Sequence, residues 1–153
     1  MKDAERFDPL TRWLTPASKE SVLSDWERTK SEWRSGALSG VGAPDGDIVP
    51  WCDLINALPG ICTLQSCAGH RRGKMLSSAH VWLWLSREAQ RRFDQNAFVL
   101  LRSDMVDWVS THHQADGKQI ASITFYGNER AMFGQSILFV YGFLCGIADP
   151  ASS

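Results

Sequence analysis

Val22, Trp26, Thr29 and Trp33 recur at the three-to-four spacing of a single helix face. This spacing predicts an amphipathic helix over residues 19–34, with Ser18 as its N-cap, Ser21 in its first turn and Gly36 as its stop. Lys19, Glu20, Glu27, Arg28 and Lys30 are expected on its wet side. Pro50 is placed to open a second, short helix whose apolar face would be Trp51, Leu54, Ile55 and Leu58, ended by Pro59-Gly60. The β-branched run 61–65 reads as a strand, with Cys62 and Leu64 on one face and Ile61 and Thr63 on the other. A further strand is predicted over 79–85, with Val81, Leu83 and Leu85 facing one way and Trp82 and Trp84 the other.

Ser86 then caps a helix running to about residue 101, which buries Ala89, Phe93, Ala97 and Leu100 or Leu101 and exposes Arg87, Arg91 and Arg92. Residues 105–110 carry a weaker strand pattern. Asp116-Gly117 signals a turn, and 119–126 alternates, with Ile120, Ser122, Thr124 and Tyr126 opposite Ala121, Ile123 and Phe125. Residues 129–147 are long enough for a buried helix, while 137–141 equally fits a central strand; the helix is the reading adopted. The rest connects: an N-terminal arm (1–17), a Gly/Pro/Asp loop (39–47), a polar stretch (73–78) and a tail (150–153). The 39–47 loop is not a dinucleotide fingerprint, having neither the glycine spacing nor a preceding strand.

Composition narrows the classes. A chain of 153 residues can bury a core without staples, and 44% apolar with 22% charged residues is ordinary for a soluble domain. A net charge of −1 excludes a strongly basic nucleic-acid binder, so any such contact needs a local patch. The four cysteines form no Cys-x-x-Cys pair, and the N-terminus lacks the apolar core of a signal peptide; reduced thiols and a cytoplasmic location are expected. The longest apolar run, 137–147, is too short to span a bilayer, so no membrane partner is expected.

Candidate chemistry concentrates in Gln65-Ser66-Cys67-Ala68-Gly69-His70-Arg71-Arg72. If Gly69 takes a positive φ, the backbone amides here turn inward as an anion nest, within reach of bidentate Arg71 and Arg72. His70 and the arginines would also favour the Cys67 thiolate. The plain alternative is a tight turn with Cys67 packed as a small apolar residue. Cys62, Cys67, His70 and His80 are soft ligands, but without a second close pair no metal is expected. His112-His113 reads as an exposed loop. A Ser-His-Asp set drawn from Ser66, His70 or His80, and Asp47 or Asp53 lacks the nucleophile elbow. Trp82 and Trp84 either stack a base or pack under a helix.

A longer frame surrounds this loop: the acid Asp47, the helix start Ile48-Val49-Pro50, then Leu54-Ile55-Asn56, a short strand with Thr63, and Ser66-Cys67-Ala68-Gly69. In that order it resembles the wybutosine-synthesis methyltransferase family, over residues 20–85. Ala68 stands where those proteins have a second serine, and His70 where they have arginine. The resemblance implies a single α/β (α+β) domain over 18–149, a mixed sheet with helices packed on it, unlike the Rossmann methyltransferases. It implies an S-adenosylmethionine-dependent methyltransferase acting on a modified nucleoside in tRNA or a related nucleotide, with Asp47, Ser66, Cys67 and Gly69 as site positions. On that reading His70 and Asp47 are catalytic, with His70 as the base. Ser66 and the loop amides hold substrate or the cofactor's carboxylate, Arg71 and Arg72 hold phosphate, and Trp82 and Trp84 contact the ligand. The alternative is a non-catalytic binder of a nucleotide or small anionic ligand that uses the same loop. A plain interaction module would explain the tryptophans but leave the polar loop without a reason.

Overall fold

The computed structural model describes residues 18–40, 43–72, 75–77, 79–113, 119–125 and 130–151, with the backbone alone at 65, 70–72, 75–77, 112–113, 119–120 and 130–132. The arm expected at 1–17 lies outside the described residues.

Helix α1 (Lys19–Arg34) starts as its sequence predicts. The Ser18 hydroxyl accepts from the Ser21 amide at 3.1 Å, while the Ser21 hydroxyl accepts from the Ser18 amide at 3.2 Å, a capping box built from two serines. Gly36, at φ 80°, takes the left-handed position that ends the helix. Lys30 departs from expectation. It is buried, its ammonium bonded to Asp53 Oδ1 at 2.7 Å and Glu27 Oε1 at 2.8 Å. Trp26 Nε1 donates to the same Asp53 oxygen at 2.7 Å, and the Lys30 ammonium lies 5.5 Å from the Trp26 ring. The long lysine stem is apolar enough to be buried where its head finds a carboxylate.

Helix α2 (Val49–Asn56) buries Val49, Cys52, Ile55 and Asn56. The expected face is therefore rotated: Leu54 is exposed, and Trp51 and Leu58 pack at the margin of the core. The cause is polar. Strand β1 (Ile61–Cys67) forms one edge of the sheet, and Asn56 Oδ1 accepts from Thr63 N at 2.7 Å and Thr63 Oγ1 at 3.1 Å. An edge amide under a helix needs an acceptor, so α2 turns a polar residue inward.

Strand β2 (His70–Arg72) pairs with β3 (Met75–Ser77) as a ribbon, where the sequence predicts only a polar connection from 73 onward. Beyond it come β4 (His80–Leu85), α3 (Arg87–Leu101), β5 (Val106–His113), β6 (Gln119–Phe125) and α4 (Arg130–Ile147). The main sheet has the order β1-β4-β6-β5. All its pairings are antiparallel, which corrects the expected mixed sheet while keeping the α+β class and excluding a Rossmann-type parallel sheet among the described residues. His112 and His113 end β5 in register with Ile120 and Gln119, so they belong to a strand and not to a loop. Of the ambiguous 129–147 segment, Arg130–Ile147 is helical, and residue 129 lies outside the described residues.

One face of the sheet makes the core. Val81, Leu83 and Leu85 of β4 and Ala121, Ile123 and Phe125 of β6 are buried against Ala89, Phe93 and Leu100 of α3 and Ile137, Val140 and Leu144 of α4. Each larger side chain among them contributes about 1.5–3 kcal/mol by leaving water. The end of α4 is pinned to the start of β1. Asp149 N donates to Pro59 O at 2.9 Å, Ser86 N donates to Gly60 O at 2.7 Å, and Ser86 Oγ donates to Asp149 Oδ2 at 3.0 Å. Ser86 Oγ also accepts from Ala89 N, so one hydroxyl caps α3 and holds the tail. Among the described residues no helix is long and apolar enough to cross a membrane.

Candidate functional site

Side chains of a strand alternate between the two faces of its sheet, and that alternation decides what the face opposite the core carries. Opposite the core run His80, Trp82 and Trp84 of β4, interleaved with the buried Val81, Leu83 and Leu85. Register extends this into cross-strand rows. Cys67 pairs with His80, His80 with Thr124, and Thr124 with Trp108; Gln65 pairs with Trp82, Trp82 with Ser122, and Ser122 with Ser110. His80, Trp82 and Trp84 are half-buried. The His80 and Trp82 rings lie 5.9 Å apart at 46°. Trp84 Nε1–H is buried and meets no acceptor among the described residues. Ser122 is buried beside Trp82 and Thr124 is half-buried beside His80, so the half-buried rings are the part of this face that suits stacking of a planar heterocycle.

The loop at the end of β1 differs from expectation in its wiring. Gly69 has φ 90°, the left-handed conformation the nest requires. The amides are nevertheless taken. Ala68 N donates to Asp45 Oδ2 at 2.9 Å, and Gly69 N donates to Cys67 Sγ at 3.3 Å. The chain's own carboxylate fills the position expected for a ligand anion. Ser66 and Cys67, adjacent on a strand, part company: Ser66 Oγ accepts from Cys52 Sγ at 3.2 Å beneath α2, while Cys67 shares the row of His80 on the other face. Burial pushes the Cys52 thiol up, against the hydrogen bonds of Ser66 and Thr63. It pushes Cys62 up to about 12, against the Lys19 ammonium. These two are inert core thiols.

Asp47 is exposed in the turn before α2. The acid bonded to the loop is Asp45, two residues earlier, whose carbonyl also closes that turn by accepting from Ile48 N at 3.1 Å. Nothing in the spacing of the two acids prefers one to the other; the turn decides. The backbone of His70, Arg71 and Arg72 forms β2, and their side chains lie outside the described residues. The structure thus brings Cys67, Trp82 and Trp84 to one face, turns Ser66 to the other, and gives the Ala68 and Gly69 amides internal acceptors. Asp45 and Trp108 are the residues that sequence reasoning passed over; only Trp108, an aromatic in a weak strand, carried a usable signal.

Among the described residues, no group of three or more His, Cys, Asp and Glu side chains is placed to hold a metal ion. For S-adenosylmethionine the fit is poor at the expected point, because the amides meant for its carboxylate already bind Asp45 and Cys67. No methyl-transfer step is derived through it. No family model, no curated protein and no solved structure matches this chain.

Proposed function

We propose that the sheet face opposite the core binds a nucleoside or nucleotide by stacking its base on the β4 aromatics. The observation that carries this reading is the half-buried His80–Trp82–Trp84 row, bordered by Ser122 and Thr124 and lying opposite the helix-packed core. Base–indole stacking contributes about 1–3 kcal/mol per base and needs no particular base identity. Calorimetry with adenosine 5′-monophosphate tests it. Binding is expected to weaken about five- to a hundredfold in Trp82→Ala, the equivalent of one lost stack. A flat trace with the unaltered, folded protein would refute the reading.

A second reading makes the chain an S-adenosylmethionine-dependent methyltransferase acting on a modified nucleoside in tRNA. Its support is the order Asp47, Pro50, Leu54-Ile55-Asn56 and Ser66-Cys67-Ala68-Gly69, which ends beside the same face. In that reading His70 is the base and Arg71 and Arg72 meet phosphate. Native mass spectrometry of the purified protein separates the two: retained S-adenosylmethionine or its demethylated product favours the methyltransferase, and another nucleotide favours the binder.

A further inference from the structure

We infer that helix α4 pairs antiparallel with α4 of a second copy of this chain, about a two-fold axis level with Val140. Helix α4 packs on the core side of the sheet, so this surface is separate from the β4 aromatics, and either can be occupied without the other. The inner side of α4 buries Phe133, Ile137, Val140 and Leu144. Its flanks meet the neighbouring helices: the Tyr141 ring lies 6.0 Å from Trp51 of α2, and Phe143 meets Phe93 of α3 edge-on at 5.8 Å. The outer side carries Gly134, Gln135, Leu138, Gly142, Cys145 and Gly146, all exposed.

Three features of that outer side have no reason within one chain. No charged residue occurs from 131 to 148, although the solvent face of a helix ordinarily carries them. Leu138 is 58% exposed in the middle of the face. Gly134, Gly142 and Gly146 each weaken the helix, yet a Cβ at any of them would meet no neighbour within 4 Å, so packing among the described residues does not require them. A glycine on a helix surface is a hollow that lets a second helix approach closely.

The same features fit one another when the helix is reversed against itself. About a two-fold level with Val140, Leu138 stands at the height of Gly142 of the second copy, Gly134 at that of Gly146, and Gln135 at that of Cys145. The protruding side chain meets a hollow, and glycine meets glycine. Contacts across a two-fold axis require self-complementarity of this kind. An uncharged face also needs an uncharged partner, which α4 itself supplies. One helix pair buries less than the roughly 800 Å² per partner of a standard interface, so the dimer is expected to be weak, with a Kd of about 1–100 μM.

Size-exclusion chromatography with light scattering, on the full chain loaded at about 1–500 μM, is expected to show monomer giving way to dimer. Leu138→Glu sets a carboxylate in the apolar contact, and Gly142→Leu fills the hollow; both are expected to stay monomeric at every loading. Neither is expected to lower the melting temperature measured at about 1 μM, because Leu138 is exposed, position 142 has room for a side chain, and leucine favours a helix over glycine. Mild oxidation with diamide reads the register. Gln135→Cys is expected to give a dimer joined by a disulfide between positions 135 and 145. The unaltered chain, whose two Cys145 residues lie about 15 Å apart along the pair, is expected to give none. An unaltered chain that stays monomeric throughout, a dimer that either substitution leaves intact, or a dimer in which positions 135 and 145 do not cross-link overturns the pairing. A monomer that floats with phosphatidylcholine vesicles overturns it too, and gives the face to a lipid surface.

Discussion

Asp53 joins α2 to α1 through one oxygen, and its removal tests whether a buried lysine holds these helices together. In Asp53→Ala the Lys30 ammonium, with its side chain 8% exposed, loses a partner at 2.7 Å and keeps Glu27, which is 70% exposed. Trp26 Nε1 loses its acceptor as well. Breaking a fully buried pair costs about 3–5 kcal/mol. The Asp53 side chain is 39% exposed, so water already weakens the pair, and the expected loss falls to about 1–3 kcal/mol. For a chain of this length that lowers the melting temperature by about 3–10 °C. Lys30→Met removes the charge but keeps the stem; it leaves a carboxylate that water can reach, and its expected cost is below about 1 kcal/mol.

The pH dependence has a definite sign. Burial opposes ionisation of Asp53, but hydrogen bonds from Lys30 and Trp26 outweigh it and hold the carboxyl below its usual range. Its contribution is present above the unfolded value, about 3.9, and is lost as pH falls through the folded one. Lys30 is raised, its burial outweighed by Asp53 and Glu27, so its contribution holds below about 10.4 and is lost as pH rises through the folded value. The deficit of Asp53→Ala, read by urea and thermal unfolding, is therefore flat from about pH 5 to 9 and shrinks in acid. A deficit no larger than that of Lys30→Met, or one undiminished at about pH 2, would refute the account.

Gly60→Ala combines a φ of 74° with a Cβ that would lie 2.6 Å from Ser86 Oγ and 2.8 Å from Asp149 Cβ; it is expected to cost about 2–4 kcal/mol in urea unfolding, and a cost below 1 kcal/mol would mean that the junction yields freely. Asp45→Ala strands the Ala68 amide and is expected to cost about 1–2 kcal/mol and to raise hydrogen exchange at that amide, whereas unchanged exchange would mean the bond is not made in solution. Iodoacetamide at pH 8 is expected to label Cys145, which is exposed, and Cys67, which is half-buried, while sparing the buried Cys52 and Cys62 until the chain unfolds; early labelling of Cys62 would contradict its raised value.

The elements that were legible are those whose side chains repeat with the period of their own backbone. Residues 19–34 and 80–85 carry clear periods, Ser18 caps the first, and the alternation of the second assigns Val81, Leu83 and Leu85 to the core and Trp82 and Trp84 to the other face, as the structure has them. What was not legible depends on partners far along the chain. Lys30 looks like a solvent lysine until Asp53, 23 residues on, is brought beside it. Cys52 and Asn56 point inward because β1 offers a hydroxyl and an edge amide, which no helical period in 49–56 encodes. The direction of strand pairing is likewise a property of the assembled chain, and a mixed sheet and an antiparallel one share the same local pattern.

That antiparallel sheet moves the centre of the functional argument. In sequence, the loop from Ser66 to Arg72 holds the densest chemistry, and a resemblance built on it puts the ligand there. In space, Asp45 and the Cys67 sulfur consume the loop's amides, and Ser66 closes on Cys52. A backbone donor satisfied by a fixed internal carboxylate is a poor place for a second anion, since the two charges would compete for one N–H. The loop's positive-φ glycine and its bond to Asp45 are then better explained as what fixes the end of β1, so that Cys67 falls in register with His80 at the head of the aromatic row. The proposed ligand would then meet a sheet face that the loop terminates, and substitutions at Ser66 are expected to act on stability before they act on binding.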